Sequence, residues 1–243
     1  MALAQVKKYI ADGIEHVPGW CSPIFMEIVA HLAEEMKIAR VVGGACEIGV
    51  YYGKFLIGLS HAVEGRASLA IDLFDRQAEN VDHSGASQDD LMAKFQGNVA
   101  KYGCGPIACM RANSFALTVR DQVALLDRFE PFQFFSIDGG HQPEHVINDY
   151  RFAEEVTHHG GAIIIDDITN SAWPGVMEGI AWLFLNTRPK FVPLMIGHNK
   201  LVLAGVTFHK LYLTGMANRI KQHIPGQNIW TTKLFGYELL SFV

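Results

Sequence analysis

Charge is scarce in this chain: Asp, Glu, Lys and Arg make up only 19 % of its 243 residues, below the roughly 25 % typical of soluble domains. No basic tract relieves the deficit. With 20 Lys+Arg against 25 Asp+Glu the net charge is -5, so no stretch can neutralise a run of phosphates and no nucleic-acid partner is expected. Long apolar runs are missing too. None approaches the roughly 20 residues needed to cross a bilayer, and the N-terminal MALAQVKKYIADGIEHV is amphipathic, without a signal peptide's apolar block. These absences predict a cytoplasmic protein with no membrane contact. Cysteine is sparse: Cys21, Cys46, Cys104 and Cys109 contain no CxxC pair, and a chain this long needs no staples, so free thiols are expected. Internal repeats, low-complexity runs and Pro/Gly/Ser linkers are also absent, which predicts one continuous core. With hydrophobic residues at 49 %, apolar surface is left over, and a homo-oligomer is the expectation.

What is present is a change of rhythm near residue 41. Residues 2–16 and 23–38 carry helical spacing, the second through Ile24, Ile28, Leu32 and Met36, with Ser22 as N-cap and Pro23 at the first helical position. Beyond them, short apolar runs (VVGGACEI, SLAIDLF, PIACMRA, FQFFSID, GGAIIIDD) alternate with helical segments near 53–63, 88–102, 118–129, 142–158 and 174–186. That repetition is the signature of a parallel sheet covered on both faces. In the tail, FVPLMIG and LVLAGV flank His198, Asn199 and Lys200 like a hairpin, a helix follows near 208–223, and FGYELLSF reads as a last strand. The predicted architecture is α/β, a Rossmann-like doubly wound and mostly parallel sheet with an antiparallel edge. Residues 1–40 are its N-terminal helical lead-in and 41–243 its main domain, including the C-terminal helix and strand.

In such a sheet a ligand sits beyond the carboxyl ends of the strands, and the residues there are polar. After the first strand comes Glu47-Ile48-Gly49-Val50-Tyr51-Tyr52-Gly53, where Gly49 permits a tight turn and Gly53 close packing as the helix starts. It is not GxGxxG, and an ordinary strand-to-helix turn is the competing reading. The second strand ends in Asp72, whose carboxylate can accept hydrogen bonds from both hydroxyls of a ribose; Asp75 is a rival for that part. After the third strand, Asn113-Ser114 is placed to face an adenine edge or to be a simple turn.

The fourth strand ends in Asp138-Gly139-Gly140-His141 and the fifth in Asp166-Asp167. Three carboxylates at one sheet edge repel one another unless a cation or dense hydrogen bonding compensates. Oxygen-only ligands suit Mg²⁺, with Mn²⁺ as substitute. His141 beside them can serve as a general base or as a hydrogen-bonding support. His141 and His145 are four apart, yet HQPEH lacks the HExxH order and no soft third ligand is evident, so a zinc site is not expected. His158 and His159 before Gly160-Gly161 read as a helix C-terminus with a glycine cap. Asp149, in the helix after His141, either holds a neighbouring loop or ligand or lies on a solvated face.

These residues resemble the class I S-adenosylmethionine-dependent methyltransferases over residues 40–205, with Glu47-x-Gly49-x-x-x-Gly53 similar to their first motif and Asp72 to their second-strand acid. FFSIDGGHQPEHVINDY followed by GGAIIIDDI looks like the metal-dependent O-methyltransferase branch that includes sugar-modifying enzymes of macrolide pathways. The lead-in PGWCSPIFMEIVAHLA also looks like the entering helix of these relatives. The resemblance implies S-adenosylmethionine held by Glu47, Gly49, Gly53, Asp72, Asn113, Ser114 and Asp138, Mg²⁺ or Mn²⁺ on Asp138, Asp166 and Asp167, and His141 as base toward a small hydroxylated acceptor with adjacent oxygens. Loops at 76–87 and 168–175 are expected to shape the acceptor pocket with the lead-in. Two other classes compete: a nucleotide-binding oxidoreductase, which wants the missing GxGxxG, and a non-catalytic binding module on the same fold.

Overall fold

The computed structural model describes residues 2–83 and 90–242. Five strands, β1 (Ala45–Ile48), β2 (Ser68–Asp72), β3 (Ile107–Arg111), β4 (Phe132–Ile137) and β5 (Thr157–Ile165), pair in parallel. They alternate with helices α3 (Lys54–Ala62), α4 (Leu91–Tyr102), α5 (Val119–Arg128) and α6 (Pro143–Val156), after a lead-in of α1 (Ala2–Asp12) and α2 (Pro23–Ile38). Beyond β5 come α7 (Pro174–Asn186), β6 (Phe191–Gly197), β7 (Lys200–Gly205), α8 (His209–His223), β8 (Ile229–Leu234) and β9 (Tyr237–Phe242). The nine-stranded sheet runs β3-β2-β1-β4-β5-β7-β6-β9-β8. The doubly wound, mostly parallel architecture with an antiparallel edge is therefore present. β7 slots antiparallel between β5 and β6, while β9 lies parallel to β6.

Strand alternation sorts the core into two layers, since successive side chains leave opposite faces of a sheet. Ala70, Phe134, Ala162, Ile164, Val202 and Ala204 join α1, α2, α3 and α8. Their neighbours Ile71, Phe135, Ile137, Ile163, Ile165, Leu201 and Leu203 join α6 and α7. Each fully buried Ile, Leu or Phe contributes about 1.5–3 kcal/mol. Being covered on both faces, β4 buries all six of its residues and β5 ends in the apolar run Ala162-Ile163-Ile164-Ile165. The lead-in helix α2 starts as its sequence requires, with Ser22 Oγ accepting the N–H of Phe25 at 3.3 Å and Pro23 at the first helical position. Ser22→Ala would cost about 1 kcal/mol.

Four expectations need correction. The first helix stops at Asp12, and Ile14–His16 forms a separate 3₁₀ turn. The first strand begins at Ala45 rather than Val41. His158 and His159 cap no helix: α6 ends at Val156, Thr157 Oγ1 donates to the Ala153 carbonyl at 2.7 Å, and the chain enters β5 directly. A Cβ on Gly160 would stand 2.6 Å from Val41 Cγ2, so close packing rather than a left-handed cap calls for glycine there. The strand β8 carries no signal in the sequence, because its side chains are mostly exposed and, among the described residues, it pairs with β9 alone at the sheet edge. No helix among the described residues is long and apolar enough to cross a membrane.

Candidate active site

At the carboxyl ends of the parallel strands lies a cavity of about 820 Å³, within the usual range of ligand sites. Its wall includes Trp20, Cys21 and Ser22 of the lead-in, Gln77, Glu79, Asn80 and Val81 of the loop after β2, and Asn170 and Trp173 of the loop after β5. All three expected segments thus reach it, the 84–87 part of the second lying outside the described residues.

The first loop is built around two residues. Gly49 has φ +81°, and a Cβ there would come within 1.8 Å of the Asp138 carbonyl oxygen, so only glycine lets the β1 and β4 ends approach this closely. Asp72 Oδ2 accepts the N–H of Val50 at 2.7 Å and of Tyr51 at 3.2 Å, while Oδ1 accepts that of Phe74 at 2.6 Å. A carboxylate has about four acceptor sites, so Asp72 clamps the loop and keeps little more than one site for a ligand. Burial raises its pKa against those three bonds. Gly53, with φ +91°, stands at the start of α3 against the Phe95 ring. Asp75 is turned to Arg111, at 3.1 Å, and does not line the cavity.

Glu47 is buried on the cavity floor, where Ser136 Oγ donates to Oε1 at 3.0 Å and Oε2 has no hydrogen-bond partner among the described residues. Burial, reinforced by the Asp138 charge, holds its pKa well above the carboxylate range. Asn113 accepts the Phe115 N–H at 3.1 Å, and Ser114 Oγ donates to Asp149 Oδ2 at 3.1 Å. Asp149 is wholly buried, not solvated, and ties α6 to the loop after β3; burial pushes its carboxyl up to about 7.

His141 precedes α6 and so shares no helix face with His145, whose ring packs on Phe115 at 4.5 Å. The His141 ring stacks on Trp173 at 4.4 Å. Its Nδ1 lies 2.8 Å from Asp82 Oδ2, and its Nε2 lies 3.0 Å from Asp167 Oδ2 and 3.7 Å from Asp138 Oδ1. Nε2 is near enough for ion pairing but lacks an aligned hydrogen bond. Burial alone would lower the His141 pKa, yet Asp138, Asp167 and Asp82 outweigh it and raise it to about 10. Burial, then Asp166, lifts Asp138 to about 7. Burial would also raise Asp167, but the close approach of the His141 ring and the bonds with Asn170 and Asn199 prevail and lower it.

Asp166 and Asp167 both line the cavity although they are adjacent, because Asp167 has φ +58° and breaks the strand's alternation. Donor atoms of Asp138, His141 and Asp167 all lie within 4.8 Å of one another, a group that could hold a metal ion; Asp166 is outside it. Its carboxylate meets the Lys200 ammonium instead. Asp82, Lys200, Asn199, Asn170 and Trp173 were not singled out from the sequence. Lys200 and Asn199 were visible only as hairpin residues, and Asp82 carried no signal.

A family model described as a methyltransferase domain matches residues 46–168. No curated protein matches the chain in sequence. Among solved structures, the chain is similar to the O-methyltransferase NovP, at 16 % identity and TM-score 0.55 over 74 % of this chain and 78 % of that one. It is similar to the calicheamicin methyltransferase CalS11 at 14 % identity and TM-score 0.53, over 84 % and 91 % of the two chains. MycE of the mycinamycin biosynthetic pathway, seen in complex with Mg, SAH and mycinamycin VI, gives 15 % identity and TM-score 0.51. That likeness covers 84 % of this chain and 53 % of MycE, so the chain spans about half of its length. At these identities the likeness speaks for the fold.

Proposed function

Since the chain belongs to the methyltransferase domain family, we propose that it moves the methyl group of S-adenosylmethionine to a hydroxyl of a small acceptor bearing adjacent oxygens. The observation that carries this reading is His141, wedged between Asp82 on one ring nitrogen and Asp167 on the other, at the edge of the acid-lined cavity. The donor set suits a cationic cofactor: Asp72 clamps the glycine loop, and Glu47 offers an unpaired, buried Oε2 on the cavity floor. Gly49, Gly53, Asn113, Ser114 and Asp138 complete the proposed cofactor side.

The metal was expected on Asp138, Asp166 and Asp167, whereas the donor atoms that converge belong to Asp138, His141 and Asp167. Asp138 and Asp167 offer oxygens that lie within 4.8 Å of each other and of a His141 ring nitrogen; these two acids would hold Mg²⁺ or Mn²⁺, with Asp166 engaged by Lys200. When bound, S-adenosylmethionine supplies the methyl group, and a divalent cation supplies Lewis acidity to the acceptor hydroxyl while offsetting the carboxylates around His141. The surrounding carboxylates alone hold the imidazole protonated, its pKa raised to about 10; with their charge offset the ring can stand neutral and accept the hydroxyl proton at Nε2. Asp82 keeps Nδ1 protonated and the ring in place, and the Trp173 ring covers one face of the imidazole and shields it from water. Trp20, stacked on Tyr51 at 5.8 Å, forms an aromatic rim for the acceptor.

The test is a panel of vicinal diols, catechols and sugars incubated with S-adenosylmethionine and Mg²⁺, with formation of S-adenosylhomocysteine and methyl ether followed by mass spectrometry. S-adenosylhomocysteine binding without turnover on any acceptor would favour the non-catalytic module. The proposed cytoplasmic setting and homo-oligomeric state rest on composition, and sedimentation of the purified chain checks the second.

A further inference from the structure

The β6–β7 hairpin reaches across to the end of β5 and sets two consecutive residues on two consecutive acids. His198 and Asn199 have φ of +49° and +64°, which gives the tight turn between the strands. From that turn Asn199 Nδ2 donates to Asp167 Oδ1 at 2.5 Å, and Asn199 Oδ1 accepts from the N–H and Oγ1 of Thr169 at 3.1 and 3.0 Å. The next residue, Lys200, places its ammonium on Asp166 Oδ2. The other oxygen of Asp166 accepts the Asp167 N–H at 2.8 Å. Both oxygens of Asp166 are therefore engaged within the protein.

Lys200 is an unusual lysine. Only 2 % of it is exposed, and a buried ammonium is retained only where a counter-charge and other contacts replace water. Its contacts are Asp166 on one side and two aromatic faces on the other, with Nζ 4.8 Å from the centre of the Phe55 ring and 5.9 Å from that of Phe25. Phe25 comes from α2 and Phe55 from α3, so the ammonium is fixed from three elements. The rings stabilise a point charge without offering it an alternative anion.

Resting on the reading of this cavity as a methyltransferase site, we propose that Lys200 is a resident cation of its catalytic end. It keeps Asp166 as its own counter-ion and competes with a divalent ion for that carboxylate. A divalent ion is thereby directed to the oxygens of Asp138 and Asp167. The three acids that look equivalent at the strand ends divide into one structural counter-ion and two ligands. A unit charge within a few ångströms also opposes a second cation, so Lys200 weakens divalent binding.

The experiment titrates Mn²⁺ into the full-length chain by electron paramagnetic resonance, using wild type, Lys200→Met and Asp166→Asn. Lys200→Met should bind Mn²⁺ roughly tenfold more tightly, and Asp166→Asn, which loses a nearby charge but no ligand, should bind it less than about tenfold more weakly than wild type. If wild-type binding is below detection, a measurable site gained by Lys200→Met supports the competition and its absence overturns it. Loss of Mn²⁺ affinity by about tenfold or more in folded Asp166→Asn, or unchanged or weaker binding in folded Lys200→Met, overturns the proposal. Should Lys200→Met fail to fold, melting in excess EDTA decides: Asp166→Asn should melt roughly 5–10 °C below wild type, because the ammonium loses its counter-ion. An equal or higher melting temperature means that Asp166 was not Lys200's partner. Absence of S-adenosylhomocysteine binding and methyl transfer in wild type would defeat the functional reading, while the Mn²⁺ and melting results would still decide the role of Lys200.

Discussion

Asp82 Oδ2 accepts two hydrogen bonds from His141, one from its main-chain N–H at 2.9 Å and one from its ring at 2.8 Å. A carboxylate only accepts, so Nδ1 carries hydrogen and Nε2 is the atom left to face the acids of β4 and β5. One oxygen thus fixes both the position of the residue and the tautomer of its ring. Asp82→Asn can donate to Nδ1 and reverse the tautomer. Turnover should fall roughly 10²- to 10⁴-fold, with S-adenosylhomocysteine affinity retained; single-turnover rates alongside calorimetry test this.

Removing the imidazole itself should have a similar kinetic effect. His141→Ala is expected to bind S-adenosylhomocysteine like wild type while turning over about 10²- to 10⁴-fold more slowly. A variant with wild-type turnover would return His141 to a supporting part.

The cofactor side makes a separate prediction. Asp72→Ala releases the N–H groups of Val50, Tyr51 and Phe74, and a hydrogen bond to a charged group is worth about 1.5–3 kcal/mol. S-adenosylhomocysteine should bind roughly 10- to 100-fold more weakly in calorimetry. Unchanged affinity would confine Asp72 to the loop.

Asp149 gives the fold a pH dependence. Its carboxyl is raised to about 7 from an unfolded value of about 3.9, so between these values the folded chain binds the extra proton. Stability then falls as pH rises from about 4 to 7, by on the order of 3–4 kcal/mol if Asp149 acts alone. Asp149→Asn should flatten that slope in denaturant melts at pH 5 and pH 8. An identical slope in the variant would assign the proton elsewhere.

Chelation should stop methyl transfer and spare the fold, since the site is held by Asp82, Asn199 and Lys200 as well as by any ion. Turnover undiminished in excess EDTA would remove the metal from the reaction, and circular dichroism under the same conditions checks the fold.

The sheet was legible because each of its five parallel strands is a short apolar run ending in a polar group, and Ser22-Pro23 announces the start of α2. β8 was not, because the side chains of Trp230, Thr231, Thr232 and Lys233 are exposed and carry no alternation toward a core. Gly160-Gly161 misled for a physical reason: a glycine pair serves close sheet packing as well as it ends a helix. At the site, Glu47, Asp72, Asp138, Asp166 and Asp167 all line the cavity, but Asp166 stands outside the group that could hold an ion, and the partners of these acids were hidden. Asp82 is 59 residues from His141 and Lys200 is 34 from Asp166; such pairings are set by the fold and leave no local spacing to read.

The turn at His198-Asn199 also gives the protein a timetable. The glycine loop, Asp72 and the loop after β3 belong to the first half of the chain, and the sheet that holds them, β1 to β4, is complete by Ile137. The pair at Asp166-Asp167 stays unbalanced until β7 has been synthesised and has inserted beside β5. A chain cut short before β7 therefore keeps the glycine loop and Asp72 but leaves two adjacent carboxylates with neither amide nor ammonium against them.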